Sequence, residues 1–103
     1  MTDEEFEEIV RAALDSLPEE IARGLENVAV VVEERNSAEP DLYGLFDEPE
    51  YLPARISIYR QPLLEDYGDD PAALEREIRI TVLHELAHYF GIDEERLDEL
   101  GYG

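Results

Sequence analysis

Apolar residues near the start of the chain recur at helical spacing. Phe6, Ile9, Val10, Ala13, Leu14 and Leu17 form one stripe, the mark of an amphipathic helix. Thr2 stands at the N-cap position, and Glu5 three residues later completes a capping box. Pro18 breaks this helix and suits the first turn of a second, short one, with Ile21 and Leu25 as its buried face. The period then changes. VAVVVEE, 28 to 34, is a β-branched run with little alternation and predicts a strand covered on both faces. A turn-rich stretch, 34 to 41, leads to LYGLF, 42 to 46, a short strand weakened by Gly44. After a loop with two prolines, RISIYR, 55 to 60, alternates cleanly. Ile56 and Ile58 point inward, and Arg55, Ser57 and Tyr59 point outward, as in a half-buried strand. Residues 61 to 70 predict a connection with room for a helical turn. Asp70 and Pro71 then pair a cap with a first-turn proline. A long helix should follow to about Phe90, with Leu74, Ile78, Val82 and Leu86 on adjoining faces. Gly91 ends it as a left-handed residue, and Asp93 is placed to cap a last short helix, ERLDEL, before the tail GYG.

These elements predict an α+β fold. A small mixed sheet, mainly from 28–34 and 55–60, packs on the N-terminal helix and on the long helix. The outward face of RISIYR is expected at an edge near that helix, where an extended peptide can add as a further strand.

Length and composition narrow the function. The 103 residues suit one domain, and 44% hydrophobic content supports one modest core. No apolar run is long enough for a membrane helix. The start, MTDEEFEE, is acidic and amphipathic, unlike a secretory signal, so the cytoplasm is the expected location. Cysteine is absent, so a metal site must draw on His, Asp or Glu. The net charge is −20, from 28 acidic residues and 8 arginines, with no lysine. That leaves no basic footprint for nucleic acid and disfavours anionic membranes. The acidity has three readings: a solvated surface that maintains solubility, adaptation to a salt-rich cytoplasm, or an acidic decoy for a basic protein. A monomer is the simplest assembly.

Both histidines fall in HELAHYFGIDEE, 84 to 95, on the strongest predicted helix. Residues four apart sit one above the other on a helix, so His84 and His88 can hold one zinc ion at about 2.0–2.1 Å from each ring nitrogen. Glu85 lies about 100° around the helix from His84. It flanks the position of a metal-bound water, where a general base belongs. This is the mechanics of H-E-x-x-H, a pattern that chance supplies on the order of once in several hundred chains of this size. A catalytic zinc needs a third protein ligand and one open position. Gly91 can take positive φ and turn the chain back, so that a carboxylate three residues on reaches the ion.

HELAHYFGIDE resembles the extended motif of the zincin metallopeptidases, H-E-x-x-H-x-x-G-x-x-[His or Asp]. The chain as a whole resembles the mini-zincins, short single-domain proteins classed as possible zinc metallopeptidases. The resemblance runs through the NVAVVVEE and RISIYR strands, the ITVLHELAHYFGI helix and the LGYG tail. It implies zinc bound by His84, His88 and Glu94, with Glu85 as base, and a zinc metalloendopeptidase acting on peptide or protein substrates. Glu94 replaces the aspartate of the Asp-type pattern, and Asp93 beside it is the alternative third ligand. The Met-turn of the larger metzincins is missing, because Met1 is the only methionine; Leu100, Gly101 and Tyr102 are candidates to pack below the metal. Tyr59 and Tyr102 are candidate oxyanion donors, with packing as the alternative for each. Thr81 and Glu77 share the histidine face, and Glu77 is either a hydrogen-bond partner of an imidazole or half of a surface pair with an arginine. Two rival functions stand beside the peptidase. One is a zinc-containing but catalytically idle binding or structural module on the same fold. The other is an acidic interaction protein without metal.

Overall fold

In the computed structural model of the chain, Thr2 and Glu5 close a reciprocal cap. Glu5 N–H donates to Thr2 Oγ1 and Thr2 N–H to Glu5 Oε1, both at 3.1 Å. The structure describes residues 1–91 and 94–99, the latter without the side chains of Glu94 and Leu97. From this cap runs α1 (Asp3–Asp15), which buries Phe6, Val10 and Ala13, with Leu17 just beyond its end. Pro18 becomes the N-cap of α2 (Glu19–Gly24) rather than its first turn, and Ile21 is buried.

Three strands follow: β1 (Val28–Glu33), β2 (Gly44–Asp47) and β3 (Ala54–Tyr59). Their order is β1-β3-β2, with β1 parallel and β2 antiparallel to β3. The clean alternation of RISIYR therefore belongs to the central strand, and the edge expected there is supplied by β2. One face of the sheet carries Val30, Ile56 and Phe46 in one row and Val32, Ile58 and Gly44 in the next. This face meets the helices; Ile56 and Ile58 are fully buried, and Val28, Val30 and Val32 pack beside them. On the other face Ala29 and Glu33 of β1 are exposed, but Ser57 and Tyr59 of the central strand, expected to point outward, are buried. The full double cover predicted for β1 is reduced to partial burial. Its valine run is placed at an edge of the sheet, with all four valines half-buried.

β3 passes directly into α3 (Arg60–Tyr67), a full helix where the sequence predicted a connection. Pro62 is tolerated in its first turn, because N–H groups there have no intrahelical acceptor. Gln61 N–H goes instead to the carbonyl of Glu34, at 3.0 Å. Asp70 then caps α4 (Pro71–Phe90) through Ala73 N–H at 3.2 Å. Leu74, Ile78, Val82, Leu83 and Leu86 are completely buried against α1 and the sheet. Gly91, at φ 69°, ends the helix in the left-handed region that favours glycine. A last helix, α5 (Glu94–Glu99), follows. Among the described residues no helix is long and apolar enough to cross a membrane.

Candidate metal centre and active site

The C-terminal half of α4 brings His84, Glu85 and His88 to one end of the sheet. Its length and burial fix their order: Leu83, Leu86 and Ala87 turn into the core, which leaves His84 and Glu85 half-buried and His88 exposed. Neither imidazole has a hydrogen-bond or ion-pair partner among the described residues.

Glu85 is held by the sheet. Phe46 N–H donates to Glu85 Oε2 at 3.0 Å. The pairing of β2 explains why that amide is free. Tyr59 N–H donates to the Tyr43 carbonyl at 2.8 Å, which makes Tyr43 and Tyr59 a hydrogen-bonded pair. Antiparallel pairs alternate, so the amide and carbonyl of Gly44 and of Phe46 point away from β3, toward the open edge. Two residues of strand advance about 6.7 Å and four of helix about 6.0 Å. Gly44 beside Thr81 and Phe46 beside Glu85 therefore keep step, and β2 runs along α4 in the same direction. The approach depends on Gly44. A Cβ there would lie 2.6 Å from Thr81 Cγ2 and 3.0 Å from the Ser57 carbonyl oxygen.

One turn beyond Glu85, Tyr89 stacks on Phe46, with ring centroids 4.4 Å apart and planes at 29°. Phe90 meets Tyr89 edge-on at 4.8 Å and brings its ring against Gly24 of α2. Phe46, Glu48, Glu85, His88 and Tyr89 line a shallow concavity of about 430 Å³.

Several residues singled out in the sequence take other places. Tyr59 lies on the sheet face opposite the helices, 4% exposed, and its hydroxyl accepts from Asn36 Nδ2 at 2.9 Å. It packs in the sheet and does not line the concavity beside Glu85. Thr81 donates its hydroxyl to the Glu77 carbonyl at 2.8 Å. Glu77 hydrogen-bonds to no histidine and forms no ion pair among the described residues. Asp93, the side chain of Glu94, Leu100, Gly101 and Tyr102 lie outside the described residues. Among the described residues no three His, Cys, Asp or Glu side chains converge as a metal-binding group. The sequence missed Gly44, Phe46, Glu48 and Tyr89 as site residues. Tyr89 adjoins His88 and was visible as an aromatic neighbour, but Phe46 is 39 positions from Glu85 and no local pattern joins them.

The family model described as zincin-like metallopeptidase matches residues 25–103, more than three-quarters of the chain. The chain belongs to that family. A comparison with curated proteins gives no match. The matched span begins after α2, so α1 lies outside it, while the sheet and all of α4 lie within. For a zincin-like metallopeptidase the expected ion is zinc, and the donors present suit it. Two imidazoles stand one turn apart with no competing hydrogen bond among the described residues, and the carboxylate between them is held at the strand edge.

Proposed function

We propose that this chain hydrolyses internal peptide bonds, with zinc held by His84, His88 and Glu94 and with Glu85 as general base. The observation that carries the reading is the bond from Phe46 N–H to Glu85 Oε2. It fixes the carboxylate beside the imidazoles by one oxygen and leaves Oε1 able to take a proton. A backbone amide cannot rotate away, so Glu85 is oriented before any substrate arrives. Zinc, when bound, lowers the pKa of a coordinated water and polarises a carbonyl. Glu85 accepts the proton of the attacking water and delivers it to the leaving amine. The open edge of β2 offers the Phe46 and Gly44 carbonyls to the main chain of an extended peptide or protein segment. We place all of this on one domain acting as a monomer.

Elemental analysis tests the metal. Wild type should carry about one zinc per chain, and His84→Ala or His88→Ala should lose it. A wild type that takes up no stoichiometric zinc when offered it would sink the reading. Zinc without hydrolysis of any unstructured peptide would favour the idle binding module, which needs the same histidines but not Glu85.

A further inference from the structure

The concavity beside Glu85 has walls of two kinds. Phe46 and Tyr89 form a stacked aromatic pair, with Tyr89 still 42% exposed. Glu48 stands on the same wall as Phe46, two positions along the chain. Its neighbour Asp47 is paired with Arg55 at 2.9 Å, but Glu48 has no cationic partner among the described residues. We propose that this concavity is a subsite for one cationic side chain of the peptide, arginine or lysine, held between Glu48 and the Phe46–Tyr89 rings. The proposal rests on the peptidase reading and names the substrate class that the site favours.

The chemistry follows from the walls. A peptide added to the edge of β2 turns alternate side chains toward α4. A long basic side chain lays its methylene stem on the rings and carries its charge onward to the carboxylate. A cation within about 6 Å of a ring face gains from the ring quadrupole. An aliphatic side chain would meet the rings alone, and an acidic one would face Glu48 and Glu85 together. The net charge of −20 attracts basic peptides from a distance, but that attraction does not depend on where in the peptide the charge sits. The subsite does. An open ion pair and a cation–ring contact together support a preference on the order of tenfold.

The test uses two peptides of the same composition, in which one arginine and one glutamate exchange places across the cleaved bond. Their net charge is equal, so the long-range field cancels. Wild type, competed against both in one tube and read by mass spectrometry, should cut one about tenfold faster. Glu48→Gln should lose that ratio, and Glu48→Arg should reverse it. Glu50→Gln, exposed and outside the concavity, should keep it. Fluorescence anisotropy with the Glu85→Gln chain measures binding of the same pair without turnover. Active wild type with no positional preference overturns the subsite and leaves the peptidase reading standing, as does a preference that survives Glu48→Gln. If no peptide is cut at all, the peptidase reading falls. Anisotropy then decides the subsite: position-dependent binding lost with Glu48→Gln upholds it, and equal binding overturns it.

Discussion

The two ends of the sheet treat their carboxylates differently. Where β1 and β3 end, acids are locked by arginines. Glu34 takes Arg60 Nε at 3.0 Å and Nη2 at 3.2 Å, and Asp3 reaches the same guanidinium at 3.4 Å. Arg35 donates to Gln61 at 3.1 Å and to the Pro40 carbonyl at 2.9 Å, and pairs with Glu65. Where β2 ends, Glu85 is held by a backbone amide and Glu48 is unpaired among the described residues. Arg55 stands near, but it faces the other side of the sheet with Asp47. Of the eight arginines, Arg35 stands where β1 leaves the sheet and Arg60 where β3 becomes α3. A guanidinium beside Glu85 would hold its charge and compete for the proton that a base must accept. The difference separates carboxylates that join elements from one that the proposed reaction needs free to take a proton.

The largest expected effect breaks the reactive end alone. Glu85→Gln keeps the size and can still accept from Phe46 N–H, but it cannot take a proton at neutral pH. Hydrolysis should fall by ~10²–10⁴-fold with zinc content and melting temperature unchanged; comparable rates in wild type and variant would remove Glu85 from the mechanism. Next comes the third ligand. Glu94→Ala should weaken zinc binding strongly, whereas Asp93→Ala should leave zinc in place and cost about 1 kcal/mol as a lost cap. Zinc titrations that show the loss only in Asp93→Ala would exchange the two roles. Gly44→Val drives methyl groups into Thr81 and the Ser57 carbonyl. An overpacked contact of this kind costs about 1–3 kcal/mol, and it should also slow hydrolysis by moving Phe46 N–H from Glu85. Denaturant melts and rates measured together check both halves.

The smallest effect belongs to the locked end. The Arg60 guanidinium holds the Glu34 carboxyl below its ordinary value of 4.5. A depressed folded-state pKa contributes stability that is present above the unfolded value and is lost as pH falls through the folded one. Arg60→Gln should therefore lower the melting temperature slightly at neutral pH and not at strongly acidic pH. Zinc content and peptide hydrolysis should stay at wild-type levels. Equal melting curves at neutral pH would show that this pair, exposed as it is, contributes nothing measurable.

The parts of this molecule that read directly from sequence are those whose signals are local. Thr2 with Glu5, Asp70 with Pro71, and Gly91 each mark a helix boundary within four residues, and α1 and α4 lie where those marks put them. The order of strands did not read so directly. VAVVVEE looks equally buried on both sides whether it sits inside a sheet or at an edge, because β-branched residues suit either place. α3 was hidden for a similar reason: RQPLLEDY has a proline near its start and no apolar stripe of its own, and it forms because Glu34 and Arg60 anchor its first turn. At the candidate site, the spacing of His84 and His88 is local, and both lie on α4 one turn apart. The hold on Glu85 is not local, since it depends on a glycine that lets β2 touch α4.

An edge strand that can receive a peptide can equally receive the edge of another copy, which is how sheets aggregate. Here the open edge is short, at four residues, but Leu45 on β2 is 40% exposed, and Tyr51 and Leu52 in the loop after it are more exposed still. Neither proline nor lysine guards the strand itself. A net charge of −20 opposes the approach of a second copy. That barrier weakens with added salt and with protonation of the carboxylates. On the reading that the acidity maintains solubility, it would give colloidal protection to an edge that Glu85 covers only at Phe46.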